Sequence, residues 1–73
     1  MKITYDKIAD AAYIRLIKIN PGDVAFTYLC DPSETKGMIN LDLNKDNQLL
    51  GIEIMDASKK LPKEILDKAL NLG

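Results

Sequence analysis

The chain has no histidine and only one cysteine among its 73 residues. Without histidine, a Ser-His-Asp or Cys-His catalytic arrangement cannot be assembled, and neither can a histidine-containing zinc site. Cys30 alone cannot close an intrachain disulfide, which predicts a reducing compartment, and we therefore expect the cytoplasm. A lone cysteine in an apolar segment is typical of a small buried hydrophobic residue.

An excess of one charge and long apolar runs are also missing. Ten Lys and Arg residues balance eleven Asp and Glu residues, for a net charge of −1. Because no Lys/Arg block is present, we expect no nucleic-acid partner. The longest apolar run, AAYIRLIKI, is interrupted by Arg15 and Lys18, and the N-terminal MKITYDK lacks the apolar region of a signal peptide. We therefore expect no membrane segment.

Glycine is scarce as well. The four glycines are isolated from one another and form no phosphate-binding loop. No cofactor is expected, and no catalytic residue is assigned. What is present, 47% hydrophobic and 29% charged residues, is typical of one folded domain over residues 1–73. A domain near this size buries only ~60% of the surface that its unfolded chain exposes, so a partner subunit would help to stabilise it.

Alternating and β-branched segments predict five strands, and a change to helical spacing predicts one helix. The break NPGD, with Pro21 and Gly22 at its centre, favours a tight hairpin between the second and third strands. We expect an α+β fold, a five-stranded antiparallel meander sheet with one short C-terminal helix packed on one face. The strands are expected at about residues 2–5, 11–19, 23–30, 38–43 and 49–55, and the helix at about 62–71.

The first hairpin allows three registers, of which we favour the one with a four-residue loop from Lys7 to Asp10. This register pairs Ile3 with Ile14, and Tyr5 with Ala12, so that apolar partners share one face. A turn centred on Asp46 and Asn47 aligns the last two strands in the same way. Its three apolar pairs are Leu43 with Leu50, Leu41 with Ile52, and Ile39 with Ile54.

A tight NPGD hairpin would leave both faces of the second and third strands apolar. One short helix covers only one face, and an uncovered apolar patch of that size is typical of an interface. We therefore predict a homo-oligomer, a dimer or higher, that buries the second face or pairs an edge strand. In the alternative, the sheet curls enough to enclose both faces itself. The interface candidates are Tyr13, Ile17, Ile19, Phe26 and Tyr28.

The segment DLNKDNQLLGIE has the acidic spacing of a calcium-binding EF-hand loop. Such a loop needs flanking helices and a glycine at its sixth position, where this chain has Asn47. The flanks alternate as strands do, so the segment is interpreted as a hairpin with an Asx-rich turn. Asp42 and Glu53 are then diagonal neighbours on its polar face and are the only candidates for metal ligands.

Two longer motifs, KITYDKIADAAYIRL and GIEIMDASK, lie near the two ends of the chain. Together they resemble a family of short prokaryotic proteins known as domain of unknown function 2283, over about residues 2–60. That family typically has Asp-Gly in its last turn, where this chain has Asp46-Asn47, and Asn also tolerates positive φ. The residues that match are Tyr5, Asp6, Ala9, Asp10, Ala11, Tyr13 and Ile14 in the first motif, and Gly51, Ile52, Glu53, Ile54, Asp56, Ala57 and Ser58 in the second.

The resemblance implies a small β-rich domain and no established activity. Members are sometimes encoded beside small toxin-like proteins, which implies an antitoxin-like role as an alternative. With no basic patch, such a protein would cover a small partner protein, for example by β-augmentation at an edge strand. The hypothesis we favour is a noncatalytic protein-interaction or oligomerisation module, and not an enzyme. The alternative from another class is a cation-binding protein or small enzyme that uses carboxylates.

Overall fold

The computed structural model describes residues 1–71 of the chain. The fold is α+β, as expected, with five antiparallel strands in one sheet, a sixth short strand that was not predicted, and short helices. Within the described residues, no helix is both long enough and apolar enough to cross a membrane. In chain order the elements are β1 (Lys2–Asp6), β2 (Ala11–Arg15), β3 (Phe26–Leu29), α1 (Pro32–Thr35), β4 (Ile39–Leu43), β5 (Leu49–Met55), α2 (Ala57–Lys60), α3 (Lys63–Lys68) and β6 (Leu70–Asn71).

The order of the strands corrects the predicted meander. The sheet runs β3-β4-β5-β2-β1-β6, so β2 pairs with β5 and not with β3. Strand β2 ends at Arg15 and β3 begins at Phe26, both inside the predicted ranges of 11–19 and 23–30. Residues 16–25 connect them without forming a β2–β3 hairpin, although the NPGD turn does form, with Gly22 at φ 88°. At the ends of this segment, the Leu16 amide donates to the Leu50 carbonyl and the Ala25 amide to the Leu43 carbonyl, both at 2.9 Å. The apolar strand β5 gains a neighbour on each side in this order, which removes more of it from water than a sheet edge would.

The register predicted for the first hairpin is confirmed: Ile3 lies opposite Ile14, and Tyr5 opposite Ala12. The four-residue loop between β1 and β2 is stabilised by Asp6, whose carboxylate accepts hydrogen bonds from the backbone of Ile8 at 3.0 Å and of Ala9 at 3.3 Å. This is the Asx-type turn that a short acidic side chain favours.

The register of the β4–β5 hairpin is confirmed for Ile39 with Ile54 and for Leu41 with Ile52. The third predicted pair is wrong, because Leu43 lies opposite Leu49. The turn is centred one residue earlier than predicted, since the Asn44 carbonyl accepts from the Asn47 amide at 3.0 Å and Asn47 takes a φ of 59°. The register then shifts between Asp42 and Leu43, so that Leu50 has no partner on β4 and is an extra residue in β5.

The single helix predicted at about 62–71 is confirmed only over Lys63–Lys68, which is α3, because Leu70–Asn71 form β6. Two further short helices lie outside the predicted range: α1 between β3 and β4, and α2 directly before α3. Pro62 separates α2 from α3 because a residue before proline avoids the helical conformation, and Leu61 is extended at φ −103° and ψ 139°. Helix α3 ends at Lys68, and β6 then pairs in parallel with β1, where Leu70 lies opposite Thr4. Leu70, which lies inside the range predicted for the helix, is therefore a strand residue.

The registers divide the sheet into an apolar and a polar face. On the apolar face, Ala12 and Ile54 form the core with Ala57 of α2, and Leu61 and Leu66 pack beside them. We call the apolar face of β1, β2 and β5 the covered half, because α2, Leu61 and α3 lie over it. We call the apolar face of β3 and β4, with Phe26, Tyr28, Leu41 and Leu43, the bare half.

Candidate functional site

The bare half exposes aromatic side chains at the outer strand of the sheet. Phe26 is 54% and Tyr28 61% exposed, and they flank the half-buried Leu41 and Leu43 of β4. None of these four side chains carries a charge. Strand β3 has a neighbour on one side only, and all four of its residues are exposed. An apolar surface and an open strand edge therefore occur together.

The structure brings only two of the five interface candidates together. Phe26 and Tyr28 share the bare half, whereas Tyr13 lies on the opposite, polar face of β2. Ile17 and Ile19 lie in the irregular connection after β2, where Ile17 is exposed and Ile19 half-buried. The prediction that these residues share one face is wrong, because it required the β2–β3 hairpin that does not form.

A hydrogen-bond network centred on Asp42 occupies the polar face. Its carboxylate accepts from the Tyr13 hydroxyl at 2.5 Å and from the Thr27 hydroxyl at 2.8 Å. The Tyr13 ring crosses β5 above Gly51, where a Cβ atom would lie 2.6 Å from the Tyr13 Cζ and 2.7 Å from its Cε1. Because Gly51 has no side chain, the Tyr13 side chain of β2 can reach across β5 and donate its hydrogen bond to Asp42 of β4.

Burial and the hydrogen bond to Asp42 raise the pKa of Tyr13 to about 12, from the ordinary value of 10.0. Desolvation and a nearby carboxylate both disfavour the phenolate. Tyr13 is therefore protonated at neutral pH and serves as a hydrogen-bond donor. It is not poised as a general base, which needs a pKa near the working pH.

The two metal-ligand candidates lie on one face, as predicted. Asp42 lies opposite Gly51, and Glu53 lies opposite Asn40, which makes the two acids diagonal neighbours. Each carboxylate already accepts hydrogen bonds within the protein, and that of Glu53 accepts from the Asn40 amide at 3.0 Å. Within residues 1–71, no group of three acidic or cysteine residues is arranged to hold a metal ion. The segment that contains both acids forms a hairpin, as expected.

A second polar cluster joins the first turn to the start of α2. Asp10, at φ 51°, accepts from the Tyr5 hydroxyl at 2.7 Å, the Ser58 hydroxyl at 2.7 Å and the Ser58 amide at 3.0 Å. The hydrogen bond from Tyr5, followed by those from Ser58, lowers the pKa of Asp10, and the same bond raises the pKa of Tyr5. Sequence reasoning identified Asp10 as a turn former and missed its contact with Ser58.

A shallow groove of about 320 Å³ gathers basic side chains that the sequence does not group. Lys2, Arg15 and Lys18 line it, and Lys2 lies directly opposite Arg15 in the β1–β2 pair. Within the described residues, none of the three makes an ion pair. Like charges directly opposite each other destabilise a strand pair.

The chain belongs to the family described as protein of unknown function (DUF2283), whose model matches residues 2–58 of the 73. Comparison with curated proteins and with solved structures gives no match. The two motifs of the chain meet in space, because Asp10 of the first holds Ser58 of the second. Tyr13 of the first motif likewise crosses Gly51 of the second. Both contacts fix one part of the fold to another.

Proposed function

We propose that this protein is a noncatalytic interaction module that forms a homo-oligomer through the bare half. The observation that carries the proposal is the exposure of Phe26 and Tyr28 on the apolar face, beside two further apolar residues and without a charge. Contiguous exposed apolar surface of this kind is typical of a protein–protein interface. Aromatic side chains are also enriched where binding energy concentrates.

The size of the core supports the same proposal. The buried hydrophobic residues among those described are Ala12, Leu50, Ile54 and Ala57, and two of the four are alanines. A core this small leaves a thin margin of stability. Burying the exposed part of one aromatic side chain contributes on the order of 2 kcal/mol, so oligomerisation adds a substantial stabilising term.

The absence of catalysis is part of the proposal, and the hydrogen-bond networks support it. Asp10 and Asp42 are engaged by hydroxyl donors within the fold, and the raised pKa values of Tyr5 and Tyr13 keep both phenols protonated at neutral pH. These groups stabilise the structure in that state. With Cys30 as a free thiol, the compartment we propose is the reducing cytoplasm.

The molar mass in solution tests the proposal. Light scattering at micromolar concentration is expected to give a multiple of the mass of the chain, and a Phe26→Ser/Tyr28→Ser variant is expected to give a monomer. Ile8→Ser is the matched control, because Ile8 is 90% exposed but lies in the β1–β2 turn. A monomeric wild-type protein, or a control that dissociates as the double variant does, would contradict the proposal.

The open edge at β3 also favours a second candidate, an antitoxin-like protein that covers a small partner protein. An edge strand with exposed apolar residues accepts a strand from another chain by β-augmentation. A pull-down from native lysate distinguishes the two. A stoichiometric foreign partner that is lost in Phe26→Ser/Tyr28→Ser and retained in Ile8→Ser would favour the second candidate.

A further inference from the structure

We infer that β3 pairs in antiparallel fashion with β3 of a second copy, about a two-fold axis at Tyr28, and so joins two sheets into one. The inference rests on the proposed homo-oligomer and specifies how it forms: the β3 edges hydrogen-bond to each other and set the two bare halves side by side on one face, so the bare halves are not stacked face to face. Three observations support it. They are the direction of the free backbone groups on β3, the backbone hydrogen bonds already made by the residues just beyond its two ends, and the distribution of charge.

The hydrogen bonds to β4 determine which backbone groups of β3 point outward. The Cys30 amide donates to the Ile39 carbonyl at 2.9 Å. Bonded and non-bonded residues alternate along an antiparallel pair, so Tyr28 is also directed toward β4 and bonds to Leu41. Thr27 and Leu29 lie between these bonded positions. Their N–H and C=O groups therefore point away from the sheet.

Thr27 and Leu29 point their backbone groups away from β4, and Tyr28 between them points its groups toward β4. A two-fold axis through the middle residue places each outward-pointing residue of one copy opposite an outward-pointing residue of the other. With the axis at Tyr28, Thr27 of each copy lies opposite Leu29 of the other copy. Each such pair exchanges two N–H···O=C bonds, so all the outward groups of β3 in both copies are used. An open row of these groups is a template for another strand.

The neighbouring registers lose hydrogen bonds. An axis at Thr27 would set Leu29 opposite Ala25, whose amide already donates to the Leu43 carbonyl at 2.9 Å. An axis at Leu29 would set Thr27 opposite Asp31, whose carbonyl already accepts from the Glu34 amide at 3.0 Å at the start of α1. The axis at Tyr28 avoids both conflicts.

The charge distribution suits a second copy of the same chain. Residues 24–30, VAFTYLC, carry no charge and are bounded by Asp23 and Asp31. A charge near a two-fold axis lies close to its own copy, so a strand without charges joins itself without like-charge repulsion. Within Phe26–Leu29 there is also no proline or lysine, which are residues that protect an edge strand from pairing.

The side chains agree with this axis. Tyr28 of the two copies would form a non-hydrogen-bonded pair, in which Cα atoms lie about 4.5 Å apart and side chains are in contact. Because Phe26 and Tyr28 share a face, the two bare halves become one apolar surface that continues across the axis. The edge pairing thus also brings the exposed aromatic residues of two copies together.

Disulfide trapping tests the axis. In a Cys30→Ser background, Tyr28→Cys is expected to form a covalent dimer on mild oxidation, because a Cα separation of about 4.5 Å lies within the disulfide range. Ile8→Cys in the same background is the matched control, exposed but remote from β3. Cross-linking of Tyr28→Cys well above the control supports the inference. Equal or absent cross-linking overturns it.

A proline substitution separates edge pairing from face packing. Leu29→Pro removes one outward N–H, and an edge strand tolerates proline where that N–H faces solvent. We expect its dimer Kd to rise at least about tenfold, whereas Leu29→Ala, which keeps the N–H, dissociates much less. Circular dichroism checks that both variants fold. A folded Leu29→Pro dimer as tight as Leu29→Ala would overturn the edge pairing and leave the proposed oligomer standing, whereas a monomeric wild-type protein would overturn both.

Discussion

The covered and bare halves of the sheet are built from the same alternation of apolar and polar residues, yet only one of them has a core. Ile54 in the covered half is 5% exposed and Ala57 above it is fully buried, whereas Tyr28 in the bare half is 61% exposed. The helices explain the difference. Helix α3 has six residues and is about 9 Å long, so it spans about two strands at 4.8 Å spacing. A strand pattern therefore specifies an apolar face, and the length of the helices decides how much of it is enclosed.

The largest expected effect is a contrast between one substitution in each half. Ile54→Ala should lower the free energy of unfolding by about 2–5 kcal/mol, because it leaves a cavity under Ala57. Tyr28→Ser should change the stability of the monomer by about 0.5 kcal/mol or less, since the side chain is largely in water already. Urea unfolding at two protein concentrations checks this, because only the effect of Tyr28→Ser should depend on concentration. Equal losses under dilute conditions would show that the bare half is enclosed within one chain.

The next effect concerns the hydrogen bond from Tyr13 of β2 to Asp42 of β4, which links the covered half to the bare half on the polar face of the sheet. Gly51→Ala should cost about 1–3 kcal/mol, because the methyl group overlaps the Tyr13 ring and displaces its hydroxyl from Asp42. The double variant Tyr13→Ala/Gly51→Ala should lose less than the sum of the two single variants. Urea unfolding of all four proteins measures this coupling, and additive losses would argue against the contact.

The Tyr13–Asp42 hydrogen bond also gives a smaller effect, which is a dependence of the stability on pH. The pKa of Tyr13 is about 12 in the folded protein and 10.0 ordinarily, so the folded state favours the protonated phenol. The stabilisation is fully present below pH 10 and is lost as the pH rises through 12. Thermal unfolding of Tyr13→Phe should therefore depend less on pH in this window than that of the wild type. Parallel curves for the two proteins would contradict the assignment.

The smallest effect lies on the polar face of β1 and β2, behind the covered half. Lys2→Glu places an acid opposite Arg15 and replaces a like-charge pair with an ion pair, which should stabilise the β1–β2 pair by about 0.2–1 kcal/mol. The gain should shrink as salt is added, because exposed charges are screened. Thermal unfolding at low and high ionic strength checks this. Lys2→Gln is the matched control and should give a smaller gain.

The sequence predicted most of the contacts within the two hairpins, with Leu43 as the exception, and missed those between distant segments. Ile3 with Ile14 and Leu41 with Ile52 follow from short loops and the alternation of apolar residues, both of which are local. The pairing of β2 with β5 is not local, and the strong NPGD turn suggested a neighbour that β2 does not have. The turn residues favoured a hairpin there, and the burial of β5 in the middle of the sheet outweighed them.

The sequence identified Phe26 and Tyr28 as interface candidates. The structure exposes both on one face, and their role in an interface stays a prediction. The sequence could not separate them from Tyr13, because the two sides of a strand are distinguished only once its partner is known. The contact of Asp10 with Ser58 spans 48 positions along the chain, which no local pattern encodes.

The order of the strands also has a consequence for how the chain folds. Strands β1 and β2 form one local hairpin, and β4 and β5 form another, whereas the β2–β5 pair joins Ala12 to Ile54 across most of the chain. Closing that long loop is entropically slow, so we expect the two hairpins to form first and to dock in the rate-limiting step. Until they dock, β2 and β5 each present an unpaired edge. The chain therefore exposes its most apolar strand, β5, to aggregation during folding and not after it.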